Sequence, residues 1–418
     1  MRIVDLFAGI GGIRKGLELA LDERGIPHSC VFTSEIKPHA IEILKQNHPN
    51  EIIHGDITLI DENELPDFDI LCAGFPCQAF SYAGLRKGFA DTRGTLFFDV
   101  ERILKAKQPM AFILENVEGL VNHDKGKTFK TICSHLEALD YQISYKVLNS
   151  VDFGIPQDRK RIYIVGSKTG HIDLENFPVE RTTLSSILEQ GKPISKSRFV
   201  DLLLKRYKPE ELFGKSIKDK RGGESNIHSW DIDLKGHTTI KEKKLLNQIL
   251  KERRKHKWAE RYGITWMDGM PLTYEFITEF FHDRNLKQML DKLVDQGYLV
   301  LEHPKKQVLE PYVHRVYDES LPKGYNIVTG KLSFEISKIL DPNSIAPTLV
   351  AMDMQKLYVV DNGGVRRLTH REGLRLFGYP EDFCFDIKEK EGFDLLGNTV
   401  VVPVIKAVAH RLIDSFDI

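Results

Sequence analysis

RIVDLFAGIGGIRKGLELALDER, residues 2–24, joins a short apolar run to an amphipathic one through three glycines. The first run reads as a buried strand. Ile13, Leu17, Ala20 and Leu21 recur at helical spacing and give residues 13–24 one apolar face. Gly9, Gly11 and Gly12 let the connecting backbone bend sharply and approach a ligand. The pattern repeats along the chain. SCVFTSE, NEIIHGDI, DFDILCAGFP and PMAFILENV are further apolar runs ending in Gly, Pro or polar residues, with helix-like stretches at 38–47 and 95–107 between them. Strand–helix alternation with continuous apolar strands predicts an α/β fold around a mostly parallel sheet covered on both faces. YQISYKVLN and RKRIYIVGS, close together around VDFGIPQD, predict an antiparallel pair at one side of that sheet.

After about residue 185 the alternation stops. Residues 241–261 read as a polar helix, and the helix, helix, Gly297 and YLVLEHPKK succession within 272–306 fits a winged-helix-like unit. Near the end, GNTVVVPVIKAVAHRLIDSF reads as a turn and a helix whose face of Val404, Val408 and Leu412 packs back on the first domain. The chain has 418 residues, 41% hydrophobic and 28% charged, an ordinary globular composition with room for two or three domains. No run of about 18 apolar residues predicts a membrane span. Five cysteines without CxxC spacing argue against a disulfide framework or structural zinc and suit a reducing cytosol. The net charge of −1 hides an asymmetry. Residues 191–330 hold 27 Lys and Arg against 20 Asp and Glu, and the remainder 32 against 40. A basic segment on an acidic body suits either a polyanion partner or a solvated helical surface. Trp230, Trp258 and Trp266 read as core residues.

The glycine loop is not the dinucleotide fingerprint, because its third position falls on Arg14. Glu35 ends the second strand, where a carboxylate can accept hydrogen bonds from ribose hydroxyls. Asp56, at the end of the third, can accept from an adenine amino group. Together they describe a nucleoside site without a pyrophosphate, as S-adenosylmethionine needs, although such a loop can also be only a tight turn. In GFPC, Gly74 and Pro76 end a strand just before Cys77, at the sheet edge where open α/β sheets bind ligands. A thiolate there suits reversible covalent catalysis, whereas Cys72 and Cys133 read as buried and inert. Glu115 leaves an apolar strand at the same edge, as an acid or base or as a helix cap. Arg159 and Arg161, two apart, share one face and suit a phosphate or a base carbonyl, or form a surface charge ladder.

These residues resemble the bacterial C5-cytosine-specific DNA methyltransferase family. The matching stretches, in the family's order, are DLFAGIGG, Glu35, GDI, GFPCQAFS, TRGTLFFD, ENV, QDRKR, RRLTHREGLRLFGYP and GNTVVVPV, covering about 1–170 and 345–418. The resemblance implies a Rossmann-like S-adenosylmethionine-dependent methyltransferase fold with a seven-stranded sheet and a smaller, variable DNA-recognition domain. Phe7, Gly9, Gly11, Glu35, Asp56, Ile57, Pro76, Leu96, Asn398 and Val400 would line the cofactor site. Cys77 would be the nucleophile, Glu115 would contact the cytosine N3 and amino edge, and Arg161 would bind the O2 side with Arg159 beside it. Thr348 would lie near the backbone of a flipped nucleotide. Arg86, Lys87 and Arg93, in a lid-like loop over 78–94, would contact phosphates. Ile36 stands where the family often has an aromatic over the adenine, and Ala83 where many members have Ser.

The expected organisation is a catalytic domain at 1–187, a target-recognition domain at 188–394 and a C-terminal segment at 395–418 returning to the first, with 366–380 supporting the small domain. The expected partner is double-stranded DNA, read by the basic region, with Lys251, Arg253, Arg254, Lys255, Lys257 and the HPKK turn as phosphate contacts. The resemblance further implies a monomeric, cytoplasmic, nucleoid-associated enzyme that needs no metal and is paired with a restriction endonuclease. An RNA cytosine methyltransferase on the same fold and a non-catalytic DNA-binding protein are the rival readings.

Overall fold

The structure, a computed structural model, describes residues 1–75, 96–220, 222–264, 269–308, 314–328, 334–351 and 353–416. The chain folds as two compact units, one of residues 1–189, 342–355 and 368–418, the other of 190–341 and 356–367.

In the first unit the apolar runs become β1 (Arg2–Leu6), β2 (Ser29–Ser34), β3 (Ile53–His54), β4 (Ile70–Ala73), β5 (Ala111–Val117), β6 (Gln142–Asn149) and β7 (Lys160–Ser167). They form one sheet in the order β3-β2-β1-β4-β5-β7-β6. The first five strands run parallel, and β7 is antiparallel to both β5 and β6, as the paired runs around VDFGIPQD predict. Between them lie α1 (Gly12–Glu23), α2 (Pro38–Asn47), α3 (Leu96–Lys107) and α4 (Lys127–Glu137). Phe97, Val100 and Ile103 of α3 and Ile132 and Leu136 of α4 share a core with Leu71, Phe112 and Leu114 of the sheet. The chain moves outward from β1 through β2 to β3, then crosses back to β4 on the other side of β1. This reversal opens a crevice beyond the carboxyl ends of β1 and β4.

The second unit contains α5 (Arg198–Arg206), β8 (Ser216–Ile217), β9 (Asn226–Ile227), α6 (Ile240–Glu252), α7 (His256–Glu260), α8 (Tyr274–Thr278) and α9 (Leu286–Asp295). It continues through β10 (Leu299–Glu302), β11 (Lys305–Val308), β12 (His314–Tyr317), β13 (Gly324–Ile327), β14 (Lys338–Ile339), β15 (Leu357–Asp361) and β16 (Gly364–Arg367). A five-stranded sheet, β16-β15-β14-β8-β9, has its own core around Leu203, Ile217, Ile339 and Tyr358. A separate core gathers Leu245 and Ile249 of α6, Ile277 of α8, Leu290 and Leu293 of α9, and Leu299 and Ile327 of β10 and β13. The polar helix expected over 241–261 is broken into α6 and α7, and Trp230 and Trp258 are fully buried in this core; Trp266 lies outside the described residues.

The basic cluster expected to meet phosphate stays largely exposed, with one member turned inward. Arg253 is buried. Arg254 donates to the Lys220 carbonyl at 2.9 Å, Lys255 pairs with Glu252 at 2.6 Å, and Lys257 stacks on Trp258. Spacing along the segment could not single out the one side chain that turns inward.

The chain ends in α10 (His370–Arg375), α11 (Glu389–Asn398) and α12 (Val402–Ile413). These helices and residues 342–355 fold with the first unit, against the expected assignment of 188–394 to one small domain and of 366–380 to its support. The reason is local bonding. The Ala346 N–H donates to the Pro156 carbonyl at 2.8 Å, and the Asp158 N–H donates to the Ala346 carbonyl at 2.9 Å. Gln157 Nε2 donates to the Leu376 carbonyl at 2.7 Å. Conversely β15 pairs with β14 and stays in the second unit. Val404, Val408 and Leu412 are buried as their spacing predicts.

The segment Glu389–Ile413 is long and apolar enough to cross a membrane, yet 72% of its most apolar window is buried within the fold, as in a core helix. α12 lies so close to α1 that a Cβ at Gly16 would sit 2.5 Å from Ile405 Cβ. Gly16→Ala is therefore expected to cost about 1–3 kcal/mol, read as a lower denaturant midpoint with an unchanged slope.

Candidate active site

Between β1 and α1 the backbone turns through Phe7 (φ 53°), Gly9 (φ 56°) and Gly11 (φ 80°). Positive φ is natural for glycine but strained for a bulky aromatic, and such strain persists where the surroundings over-determine it, often at ligand sites. Gly12 does something other than the loop reading expects. It already belongs to α1, and a Cβ there would sit 2.5 Å from Tyr379 Oη and 2.7 Å from Val400 Cγ2. Its missing side chain admits the C-terminal segment. Val400 packs at that contact.

The loop is held by Glu35. The Gly9 N–H donates to its Oε2 at 2.7 Å, and the Ile36 and Lys37 N–H groups donate to its Oε1, each at 2.8 Å. Three amides on one buried carboxylate fix its position at the end of β2. Asp56 caps the short turn that follows β3, its Oδ1 accepting from the Thr58 N–H at 3.0 Å and from the Thr58 hydroxyl at 2.8 Å. Ile57 is buried behind it, while Ile36 is 65% exposed, an unusual position for a large apolar side chain.

Across the crevice, Glu115 leaves β5 and Arg161 enters β7. Arg161 Nε lies 3.2 Å from Glu115 Oε1. Burial raises the Glu115 carboxyl above the ordinary glutamate range, and the Arg161 and Arg159 guanidiniums oppose that shift. Arg159 is not on a surface ladder. It is 4% exposed, and it donates through Nη1 to the Leu349 carbonyl at 2.9 Å and through Nη2 to the Thr399 carbonyl at 2.8 Å. Burial, together with Arg161, pulls its guanidinium down to about 9. Arg159 thus ties 349 and 399 to the mouth of β7. Thr348 is exposed, its hydroxyl donating to the Asp158 carbonyl at 2.6 Å.

These groups share one cavity of about 440 Å³ within the first unit. Phe7, Gly9, Glu35, Asp56, Ile57 and Ile36 line one part, Glu115, Arg159 and Arg161 another, and Leu96 and Asn398 also face it. Gly11, Val400 and Thr348 do not line it. Pro76, Cys77, Ala83, Arg86, Lys87 and Arg93 lie outside the described residues. The described chain reaches Phe75, which lines the cavity two residues before Cys77.

Cys72 in β4 and Cys133 in α4 are buried thiols. Burial pushes Cys72 well above the usual value and Cys133 up to about 11. Two contributors escaped the residue-by-residue reading. Asn116 donates through Nδ2 to the Phe75 carbonyl at 3.2 Å, bracing the segment that leads to Cys77. Gln157 fastens the same region to Leu349 and Leu376. Their position inside ENV and QDRKR was the available signal.

The volume falls within the range of small-molecule pockets. Its apolar walls suit a flat ring, and the amide-fixed Glu35 suits hydroxyl groups. A buried carboxyl whose proton affinity is raised, beside a guanidinium, can engage a donor–acceptor edge of a heterocycle.

The profile of the family described as C-5 cytosine-specific DNA methylase matches residues 1–414. The Type II methyltransferase M.NlaIV of Neisseria lactamica is similar, 61% identical over 422 aligned positions that cover 99% of each chain. M.BanI of Aneurinibacillus aneurinilyticus, another Type II methyltransferase, is 42% identical over 99% of this chain and 96% of its own. Among solved structures, the S. pombe Dnmt2 methyltransferase aligns over 100% of both chains at 18% identity with a TM-score of 0.54. A putative prophage-encoded DNA modification methyltransferase from E. coli aligns over 99% of both at 21% identity with the same score. The fold, the crevice at the β1–β4 reversal and the full-length match agree: the chain belongs to the C-5 cytosine-specific DNA methylases.

Proposed function

We propose that the chain is the modification enzyme of a restriction–modification system, a monomer acting on duplex DNA in the bacterial cytoplasm with S-adenosylmethionine as methyl donor. The observation that carries this reading is the convergence of the Glu35-held glycine loop and the Glu115–Arg161 pair on one cavity, beside the segment leading to Cys77. Type II methyltransferases at 61% and 60% identity support the restriction–modification setting.

Phe7, Glu35, Ile36, Asp56, Ile57, Leu96 and Asn398 would hold the donor. Once bound, S-adenosylmethionine supplies an electrophilic sulfonium methyl group. The rest of the chemistry falls to this chain. Cytosine C5 is too weak a nucleophile unaided. The Cys77 thiolate adds to C6, and the C5–C6 π electrons become an enamine at C5. Glu115 at N3 and the amino edge and Arg161 at O2 stabilise the charge that develops on the ring. The C5 electron pair takes up the methyl group. Loss of the C5 proton to a base then re-forms the double bond and expels Cys77. Neither ring face is open inside a duplex, so the cytosine must leave the stack at a cost of a few kcal/mol. Arg86, Lys87, Arg93 and Thr348 would hold the displaced backbone. Arg159 acts through its carbonyl contacts, as a positioning residue for the cavity wall.

Bisulfite sequencing of DNA from cells expressing the chain tests the reading. Protected cytosines at one sequence are expected; their absence, with methyl transfer to RNA by the purified protein, overturns it. Glu35→Ala is expected to raise the S-adenosylmethionine dissociation constant roughly 10- to 100-fold, the loss of one or two hydrogen bonds to a charged group. Isothermal titration checks this, and unchanged affinity removes Glu35 from the cofactor site.

A further inference from the structure

Within the second unit, residues 240–327 have a recognisable order: helix α6, the one-turn helix α7, a single strand-like residue at Leu272, helices α8 and α9, strand β10, the β11–β12 hairpin and strand β13. Leu272 pairs antiparallel with Tyr325, the two N–H groups donating to each other's carbonyls at 2.9 and 2.7 Å. A Cβ at Gly324 would lie 2.7 Å from the Leu272 backbone, so this pairing requires the glycine. β13 pairs on with β10. Helices α6, α8 and α9 on a three-stranded edge, with the β11–β12 hairpin extending from it, have the order of a helix-turn-helix core with a wing.

The hairpin has no core of its own. Lys305 faces Tyr317, Lys306 faces Val316, Gln307 faces Arg315 and Val308 faces His314. Six of these eight residues are exposed, on both faces of the ribbon, and none is acidic. Asp318 and Glu302 at its base are engaged by Lys306 at 3.4 Å and by the Tyr317 hydroxyl at 2.8 Å. A two-stranded ribbon that buries so little is marginal by itself, and it matches the shape that enters a DNA groove. α9 buries Leu286, Leu290 and Leu293 and leaves Arg284, Asn285, Lys287 and Gln288 exposed at its leading end. That is the end from which a recognition helix contacts base edges, and these side chains are donors and acceptors suited to them.

We propose that residues 240–327 are a winged-helix module in which the leading end of α9 reads base edges and Lys305, Lys306 and Arg315 of the hairpin grip phosphates. The proposal rests on the reading of the chain as a DNA methylase and names the residues that set its target.

The test uses the full-length protein and a duplex carrying the methylated sequence found for the wild type. Lys305→Ala/Lys306→Ala/Arg315→Ala is expected to weaken duplex binding roughly 10- to 100-fold at physiological salt and to make the log–log salt dependence shallower by about 2–3. S-adenosylmethionine affinity and the melting temperature should stay unchanged. Lys244→Ala, an exposed change on α6, is the control and should bind and methylate as wild type. Arg284→Ala/Gln288→Ala is expected to relax the methylated sequence at one or two positions by bisulfite sequencing. An unchanged salt slope in the hairpin variant, or an unaltered target in the helix variant, overturns the module. Failure of the wild type to methylate any duplex would instead overturn the functional reading on which it rests.

Discussion

Cys77→Ser is expected to abolish methyl transfer, lowering turnover on the order of 10⁴–10⁶-fold, the scale of removing a nucleophile elsewhere, while leaving S-adenosylmethionine binding intact. The substitution keeps the size and hydrogen-bonding capacity of the side chain and removes its acidity. A hydroxyl at neutral pH is neither the anion needed to add at C6 nor a leaving group that departs readily. The groups that line the cavity are untouched: Glu35 keeps its three amides, and the Glu115–Arg161 contact does not involve position 77. The split between lost chemistry and retained cofactor affinity is therefore the informative readout. A duplex with 5-fluorocytosine at the target sharpens it, because fluorine cannot leave as the proton does. Wild type should form an adduct that survives denaturing electrophoresis and maps to Cys77, and the serine variant should form none. An adduct at another residue, or wild-type turnover by the variant, would remove Cys77 from the reaction.

Glu115→Gln is expected to lower turnover by about 10²–10⁴-fold, the range of a positioned acid or base. The amide presents one fixed donor and one fixed acceptor and cannot exchange a proton with N3. The same variant carries a stability prediction of opposite sign. Burial raises the Glu115 carboxyl above its unfolded value, so the native state holds the proton more tightly than the unfolded chain does. The stability this contributes is complete below the ordinary glutamate range and is lost as pH rises through the raised value. Glutamine behaves as a carboxyl that never ionises. The variant should therefore resist urea better than wild type on the alkaline side, and the difference should shrink on acidification. Wild-type turnover by this variant would take Glu115 out of the chemistry, and a stability difference that grows on acidification would contradict the burial argument.

The sheet and its crevice were legible because continuous apolar strands alternating with amphipathic stretches leave few alternatives, and the helix at 38–47 appears with those bounds. The lining of the cavity was legible where a motif fixes a residue at a strand end, as for Glu35 and Glu115. What escaped has a common cause. Whether an arginine turns inward depends on carbonyls far away in sequence. Arg159, 190 residues from its Leu349 acceptor, and buried Arg253 were both read by neighbourhood rather than by partner. The return of 342–355 to the first unit rests on isolated backbone bonds, which leave no periodicity. The strand at Leu272 is one residue long and has no sequence signature at all.

The tight seating of α12 on α1 also bears on how the enzyme is made. The glycine loop and α1 leave the ribosome well before α12. The residues that press on Gly12 and Gly16, and the carbonyl of Thr399 that Arg159 holds, follow the glycine loop by more than 360 residues. At bacterial elongation speeds, roughly tens of seconds separate the two segments. Until those residues are made, the cavity lacks the wall formed by Leu395, Gly397, Asn398 and Thr399, so a shorter nascent chain cannot act on the chromosome. A frameshift anywhere in the second unit yields a product with an intact amino-terminal strand but no finished catalytic pocket.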